Sequence, residues 1–253
     1  MSLDEININN INHEINITCD EIFSNNLKIF QPVNGPRVNL DTILLADWVK
    51  YRSGKNNFLE AGCASGAISL ILALRFKNIN ITGLDIQENL IDLAKLNATN
   101  NNLDSRVKFI AGDLRDKNLL SREKYDSVII NPPYESLTRG RTSKILSRSV
   151  ARLELSCSPE DVAEMSSRVL KSKGRLFAIF TSERLAIFIN SMTAHKLTPK
   201  RLRPVYPSIN NNSGVFLVEC IKDGGEGLNL LPPLIVRDES GNYTPEILRA
   251  YEL

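Results

Sequence analysis

The chain has 253 residues, 42% of them hydrophobic, enough for a sizeable α/β core, and no stretch approaches the roughly 20 apolar residues of a membrane helix. Four scattered cysteines and two isolated histidines, His13 and His195, argue against a disulfide framework or a metal site, and the polar, Asn-rich start lacks a signal-peptide pattern, so the expected compartment is the cytoplasm. Net charge is only +2, but residues 136–205 hold 14 basic and 5 acidic side chains, a local excess that suits a polyanionic partner.

In chain order, Ile6–Ile17 reads as a lead-in or a strand, and Leu27–Gln31 alternates like a strand. Gly35 and Pro36 break the chain, and Asp41 is expected to cap a helix over Thr42–Val49. From Asn56 the pattern alternates between strand and helix. Strands are expected at Phe58–Ala61, Ile79–Leu84, Val107–Ala111, Tyr125–Ile130, Gly174–Phe180 and Val215–Ile221. Helices are expected at Gly66–Phe76, Glu88–Asn100, Pro159–Leu170 and Glu183–Met192. Strands alternating with helices imply right-handed crossovers, a mostly parallel central sheet and helices on both faces, a Rossmann-like α/β fold. Chemistry is then expected in the loops that follow the strands.

The first such loop, Glu60-Ala-Gly62-Cys-Ala64-Ser-Gly66, has glycines where backbone can approach a ligand, without the full dinucleotide fingerprint. In the second, Asp85 ends a strand where it can accept hydrogen bonds from ribose hydroxyls, with Ile86 beside it. The third is Gly112-Asp113-Leu114. The fourth, Asn131-Pro132-Pro133-Tyr134, follows the apolar Val128–Ile130. Two prolines remove two N–H donors, leaving carbonyl acceptors, the Asn131 amide oxygen and an aromatic face. That set suits a planar group bearing –NH2, held by two acceptors and stacked on Tyr134.

These four loops in this order resemble the class I S-adenosylmethionine methyltransferases that modify amino groups, whose first motif here has Ala64 in place of a glycine. Asn26–Gln31, Asp41–Ala46, Leu231–Val236 and Tyr243–Glu246 are similar to segments of the bacterial tRNA(Val) adenine N6-methyltransferase family, as is Ala151–Glu154, except that Leu153 stands where the family more often has histidine. The resemblance implies one methyltransferase domain over residues 1–253, with 1–55 as a lead-in and helix packed on it. It implies S-adenosylmethionine as cofactor, held by Glu60, Gly62, Ala64, Gly66, Asp85, Ile86, Asp113, Leu114 and Asn131. It further implies that Asn131, Pro132, Pro133 and Tyr134 hold the target, an adenine at position 37 of a tRNA.

The basic stretch after this loop, with Arg139, Arg141 and Lys144, is expected to meet RNA phosphates, and Lys196, Lys200, Arg201 and Arg203 form a second basic group. A glutamine methyltransferase acting on a release factor presents the same amide chemistry and is the main rival, but resemblance to it would demand a larger N-terminal helical module. A DNA or rRNA amino-methyltransferase is a second rival. A non-catalytic nucleic-acid-binding relic of the fold is a third.

Overall fold

The computed structural model describes residues 16–24, 26–51, 53–54, 56–132 and 157–252. It opens with an antiparallel hairpin of β1 (Ile17–Ile22) and β2 (Leu27–Pro32). Helix α1 (Leu40–Trp48) follows, capped by Asn39, whose side chain accepts from the Thr42 N–H. Asp41, expected to be the cap, lies in the first turn instead, where its charge still favours the positive end of the helix.

The alternating segment then runs β3 (Asn56–Ala61), α2 (Ala67–Arg75), β4 (Ile79–Asp85), α3 (Glu88–Asn100), β5 (Val107–Ala111) and β6 (Tyr125–Ile130). After α4 (Pro159–Val169) come β7 (Leu170–Thr181), α5 (Leu185–Ala194), β8 (Leu197–Ser208), β9 (Val215–Lys222), β10 (Asn229–Leu230), β11 (Leu234–Arg237) and α6 (Pro245–Ala250). Strands β3 to β11 form one sheet in the order β10-β8-β9-β7-β6-β3-β4-β5, with β11 also paired to β8. Strands β3 to β7 run parallel, and β9 is antiparallel to both β7 and β8.

Period-two alternation along the strands divides the core between the two faces of this sheet. Phe58, Ile129, Phe177 and Ile179 pack with α1, α2, α3 and α6. Leu59, Val128, Ile130, Leu176, Ala178 and Phe180 pack with α4 and α5 on the other side. Helices on both faces are as the alternation of strands and helices implied.

The chain order of the strands places the ligand crevice. From β3 the chain steps through β4 to β5 in one direction, and β6 then returns to the opposite side of β3. The switch point lies between β3 and β6, where Ala61 and Ile130 are partners at the carboxyl ends of the two strands. Among the described residues, no helix is long and apolar enough to cross a membrane.

Candidate active site

The loop after β3 is tied down by backbone bonds. The Gly62 and Cys63 N–H groups both donate to the Leu84 carbonyl, at 2.7 and 3.0 Å, and the Gly66 N–H donates to the Cys63 carbonyl at 2.8 Å. Three of its residues have left-handed backbone: Gly62 at φ 72°, Ala64 at φ 46° and Gly66 at φ 85°. Ala64 is the position where the motif usually has glycine, and a Cβ there costs roughly 1–2 kcal/mol.

The two glycines differ in what surrounds them. A Cβ on Gly66 would lie 2.5 Å from the Phe109 ring, so that glycine serves close packing. A Cβ on Gly62 would meet nothing within 4 Å, so the space above that glycine is open.

Asp85, at the carboxyl end of β4, is buried. Its Oδ2 accepts from the Ala64 N–H at 2.9 Å and its Oδ1 from the Gln87 N–H at 3.0 Å. One carboxylate therefore links the first loop to the second and is held in a fixed orientation. Ile86 beside it is 47% exposed, an apolar side chain facing outward at the mouth of the crevice.

Glu60 is fully enclosed within β3, and burial pushes its carboxyl up to about 8. Its Oε2 accepts from the Ser69 N–H at 2.8 Å and from the Ser69 hydroxyl at 2.5 Å. These bonds anchor the first turn of α2 and relieve part of the burial cost. Cys63, buried beside it, has its thiol pushed well up, first by burial and then by the Glu60 and Asp85 charges.

Asp113, beyond β5, is gripped by Arg115 through both Nε and Nη2, at 3.0 and 2.5 Å. That guanidinium holds its carboxyl below the usual range. Leu114 is half-buried beside it and packs toward the α4 side of the core.

Asn131, half-buried, and Pro132, buried, lie directly beyond β6, across the switch point from Gly62. Of the residues expected from sequence, the carboxyl ends of β3, β4, β5 and β6 thus carry Gly62, Ala64, Gly66, Asp85, Ile86, Asp113, Leu114, Asn131 and Pro132 along one rim, with Glu60 inside β3 beneath it. Pro133, Tyr134, Arg139, Arg141 and Lys144 lie outside the described residues.

The second basic group is largely engaged within the fold. Lys200 Nζ donates to the Gly225 and Glu226 carbonyls, and Arg203 clamps Glu246 at 2.7 and 2.9 Å. Arg201 pairs with Glu219 at 2.7 Å and stacks 3.9 Å from the Trp48 ring centroid. Glu219, only 3% exposed, also accepts from Arg175 at 2.7 Å, so that two half-buried arginines flank one buried carboxylate across β7, β9 and β8.

Residues 53–205 match a family model described as a methyltransferase domain. The chain belongs to the methyltransferase-domain family. Within that family it is similar to a Porphyromonas gingivalis protein named tRNA1(Val) (adenine(37)-N6)-methyltransferase, at 25% identity over 85% of this chain and 87% of the relative. A release factor glutamine methyltransferase of Bacillus subtilis is 32% identical, but over only 40% of this chain and 36% of its own length. Among solved structures, a predicted O-methyltransferase from Agrobacterium tumefaciens superposes with a TM-score of 0.68 at 20% identity, covering 83% of this chain and 95% of that one. This last likeness shows the methyltransferase fold.

Sequence reasoning missed two parts of the site's support. Ser69 is an ordinary helix residue in the sequence, and only the fold reveals it as the partner of Glu60. Asn97 is one of many asparagines, yet it is fully buried and bonded to the Ser65 carbonyl of the first loop.

Proposed function

We propose that this chain transfers the methyl group of S-adenosylmethionine to the exocyclic N6 of an adenine in tRNA, at position 37 beside the anticodon. The observation that carries the reading is the place of Asn131–Pro132, directly beyond β6 and across the switch point from the glycine loop. Similarity to relatives named for this reaction, over most of the chain, supports it.

The residues present fit the cofactor. The space above Gly62 is open, the Asp85 carboxylate is oriented by two backbone N–H groups, and an exposed aliphatic side chain stands beside it at Ile86. In this reading Gly62, Ala64 and Gly66 let the loop backbone approach the cofactor closely, with Glu60 and Ser69 supporting the turn from beneath. Asp85 keeps lone pairs for ribose hydroxyls, Ile86 lies against the adenine ring, and Asp113 and Leu114 close the far side. When bound, S-adenosylmethionine supplies an electrophilic methyl group attached to a sulfonium.

The target side needs acceptors, because the exocyclic nitrogen of adenine has its lone pair delocalised into the ring. The Asn131 side-chain oxygen and the Pro132 carbonyl accept from the two N–H bonds and draw the nitrogen toward tetrahedral geometry. The same acceptors stabilise the positive charge that develops on nitrogen. Proline lacks an N–H, so the segment presents no competing backbone donor at positions 132 and 133. Tyr134 stacks on the base, and Arg139, Arg141 and Lys144 meet the RNA backbone. An anticodon-loop adenine is unpaired, so bringing it into the crevice costs less than flipping a base out of a duplex.

The test is transfer of a labelled methyl group from S-adenosylmethionine, offered bulk tRNA and a release factor in parallel. The reading expects label in tRNA as N6-methyladenosine. Label in a glutamine of the release factor would establish the rival instead.

A further inference from the structure

Two asparagines on α3 complete the open edge of β2. Asn97 and Asn101 stand four positions apart, at the end of α3 and its C-cap, a spacing of about 6 Å along a helix. Lys28 and Phe30 are two residues apart in β2, a spacing of about 6.8 Å along a strand. The near match lets each side-chain amide grip one backbone unit from both sides. The Phe30 N–H donates to Asn97 Oδ1 at 2.7 Å, and Asn97 Nδ2 donates back to the Phe30 carbonyl at 2.9 Å. The Lys28 N–H donates to Asn101 Oδ1 at 3.0 Å, and Asn101 Nδ2 donates back to the Lys28 carbonyl at 2.6 Å. A helix thus offers the hairpin the hydrogen bonds that a neighbouring strand would have given.

The two asparagines differ in one respect. The Asn97 amide also donates to the Ser65 carbonyl at 3.0 Å, inside the glycine loop. The Asn101 amide makes its further bond within its own helix, to the Asn97 carbonyl at 2.7 Å. The Ser65–Gly66 peptide is planar, so its carbonyl and N–H point in opposite directions. Asn97 holds the carbonyl end, and the Cys63 carbonyl holds the N–H end at 2.8 Å. The Ser65–Gly66 peptide, one residue beyond the strained Ala64, is therefore fixed at both ends, and Asn97 is the fixing group contributed from outside the loop. Asn97 is 0% exposed, and all three of its partners demand the same amide orientation.

We propose that Asn97 is a positioning residue that couples the N-terminal β1–β2 hairpin to the cofactor loop, so that hairpin docking and cofactor binding reinforce each other. The inference rests on the reading of the glycine loop as the cofactor's site. Coupling of this kind is reciprocal: whatever the docked hairpin adds to cofactor affinity, the cofactor returns to hairpin docking.

The experiment compares Asn97→Ala with Asn101→Ala in the full chain, using S-adenosylhomocysteine as the probe in calorimetry and thermal unfolding as the measure of stability. Each variant loses a two-bond grip on β2, with the larger stability cost at the fully buried Asn97, so a purely structural role predicts an affinity loss in each variant that only follows its loss of stability. Positioning predicts a weakening of S-adenosylhomocysteine binding by about tenfold in Asn97→Ala at temperatures where the variant remains folded, the effect of about one buried hydrogen bond, and under about twofold in Asn101→Ala. Amide exchange in the unmutated protein supplies a readout independent of whether either variant folds. Binding of S-adenosylhomocysteine should slow exchange at the Phe30 amide. Equal affinity losses in the two variants, or Phe30 exchange indifferent to the probe, would overturn the coupling alone. Failure of the unmutated protein to bind S-adenosylhomocysteine would overturn the cofactor reading itself.

Discussion

Replacing Glu60 with glutamine should change the pH dependence of stability in a defined direction. The Glu60 carboxyl is raised from the usual 4.5 to about 8, chiefly by burial. Between those values the folded protein keeps the proton while the unfolded chain releases it. The folded state then binds more protons, so stability falls as pH rises through this window. Each pH unit is worth about 1.4 kcal/mol at full effect, so the window represents on the order of 3–5 kcal/mol. The Ser69 bonds already offset part of the burial cost in that balance. A glutamine at this position has nearly the same shape, accepts from the same Ser69 groups and does not titrate. Denaturant unfolding at pH 5, 6, 7 and 8 should therefore show Glu60→Gln gaining on the unmutated protein as pH rises, with most of the gain by pH 8. Parallel stability curves would refute the reasoning and mean that the buried carboxyl is solvated or paired in solution.

The glycine loop yields two further predictions. Gly62→Ala should cost about 1–2 kcal/mol of stability, because its backbone is left-handed, and should also weaken S-adenosylhomocysteine binding, because its methyl group enters the open space above the loop, whereas Gly83→Ala should cost about 1–3 kcal/mol of stability, because its Cβ would lie 2.4 Å from the Phe109 ring, with a smaller effect on binding; calorimetry on both variants separates the two outcomes. Ala64→Gly should stabilise the protein by up to about 1 kcal/mol, since relief of the left-handed backbone exceeds the entropy cost of a glycine, and an unchanged or lowered unfolding midpoint would remove the strain argument. Glu219→Gln should cost about 3 kcal/mol in denaturant unfolding, the low end for a broken buried ion pair because both guanidinium partners keep some solvent contact. Arg203→Gln should leave the salt dependence of tRNA binding unchanged, because Arg203 is committed to Glu246; a shallower salt slope would place it on the RNA.

The parallel half of the sheet is legible in the sequence because its strands are apolar runs punctuated by helices with the right period. Tyr125–Ile130 is the clearest case, and it carries the Asn131 loop at its end. Strand β8 is not legible, because Pro199, Pro204 and Pro207 interrupt it and basic side chains fill it. It exists because β9 pairs along one side, with a register shift between Pro199 and Arg201, while β10 and β11 take the other. The charge excess around it misleads for the same reason: Arg201 and Arg203 look free in sequence, and their carboxylate partners arrive from β9 and α6. Asp41 reads as a cap because it immediately precedes the apolar run, but the capping box formed by Asn39 and Thr42 starts the helix earlier. Asn97 and Ser69 give no signal, since each matters only through a residue brought to it by the fold.

The central claim is tested most directly on a single tRNA transcript that normally carries adenine at position 37, made in two versions, one with adenine there and one with guanine. Each is incubated with the protein and S-adenosylmethionine and digested to nucleosides for mass spectrometry. The account predicts N6-methyladenosine from the adenine transcript and none from the guanine transcript. Equal methylation of both transcripts, or none of either while a release factor glutamine becomes methylated, would contradict it.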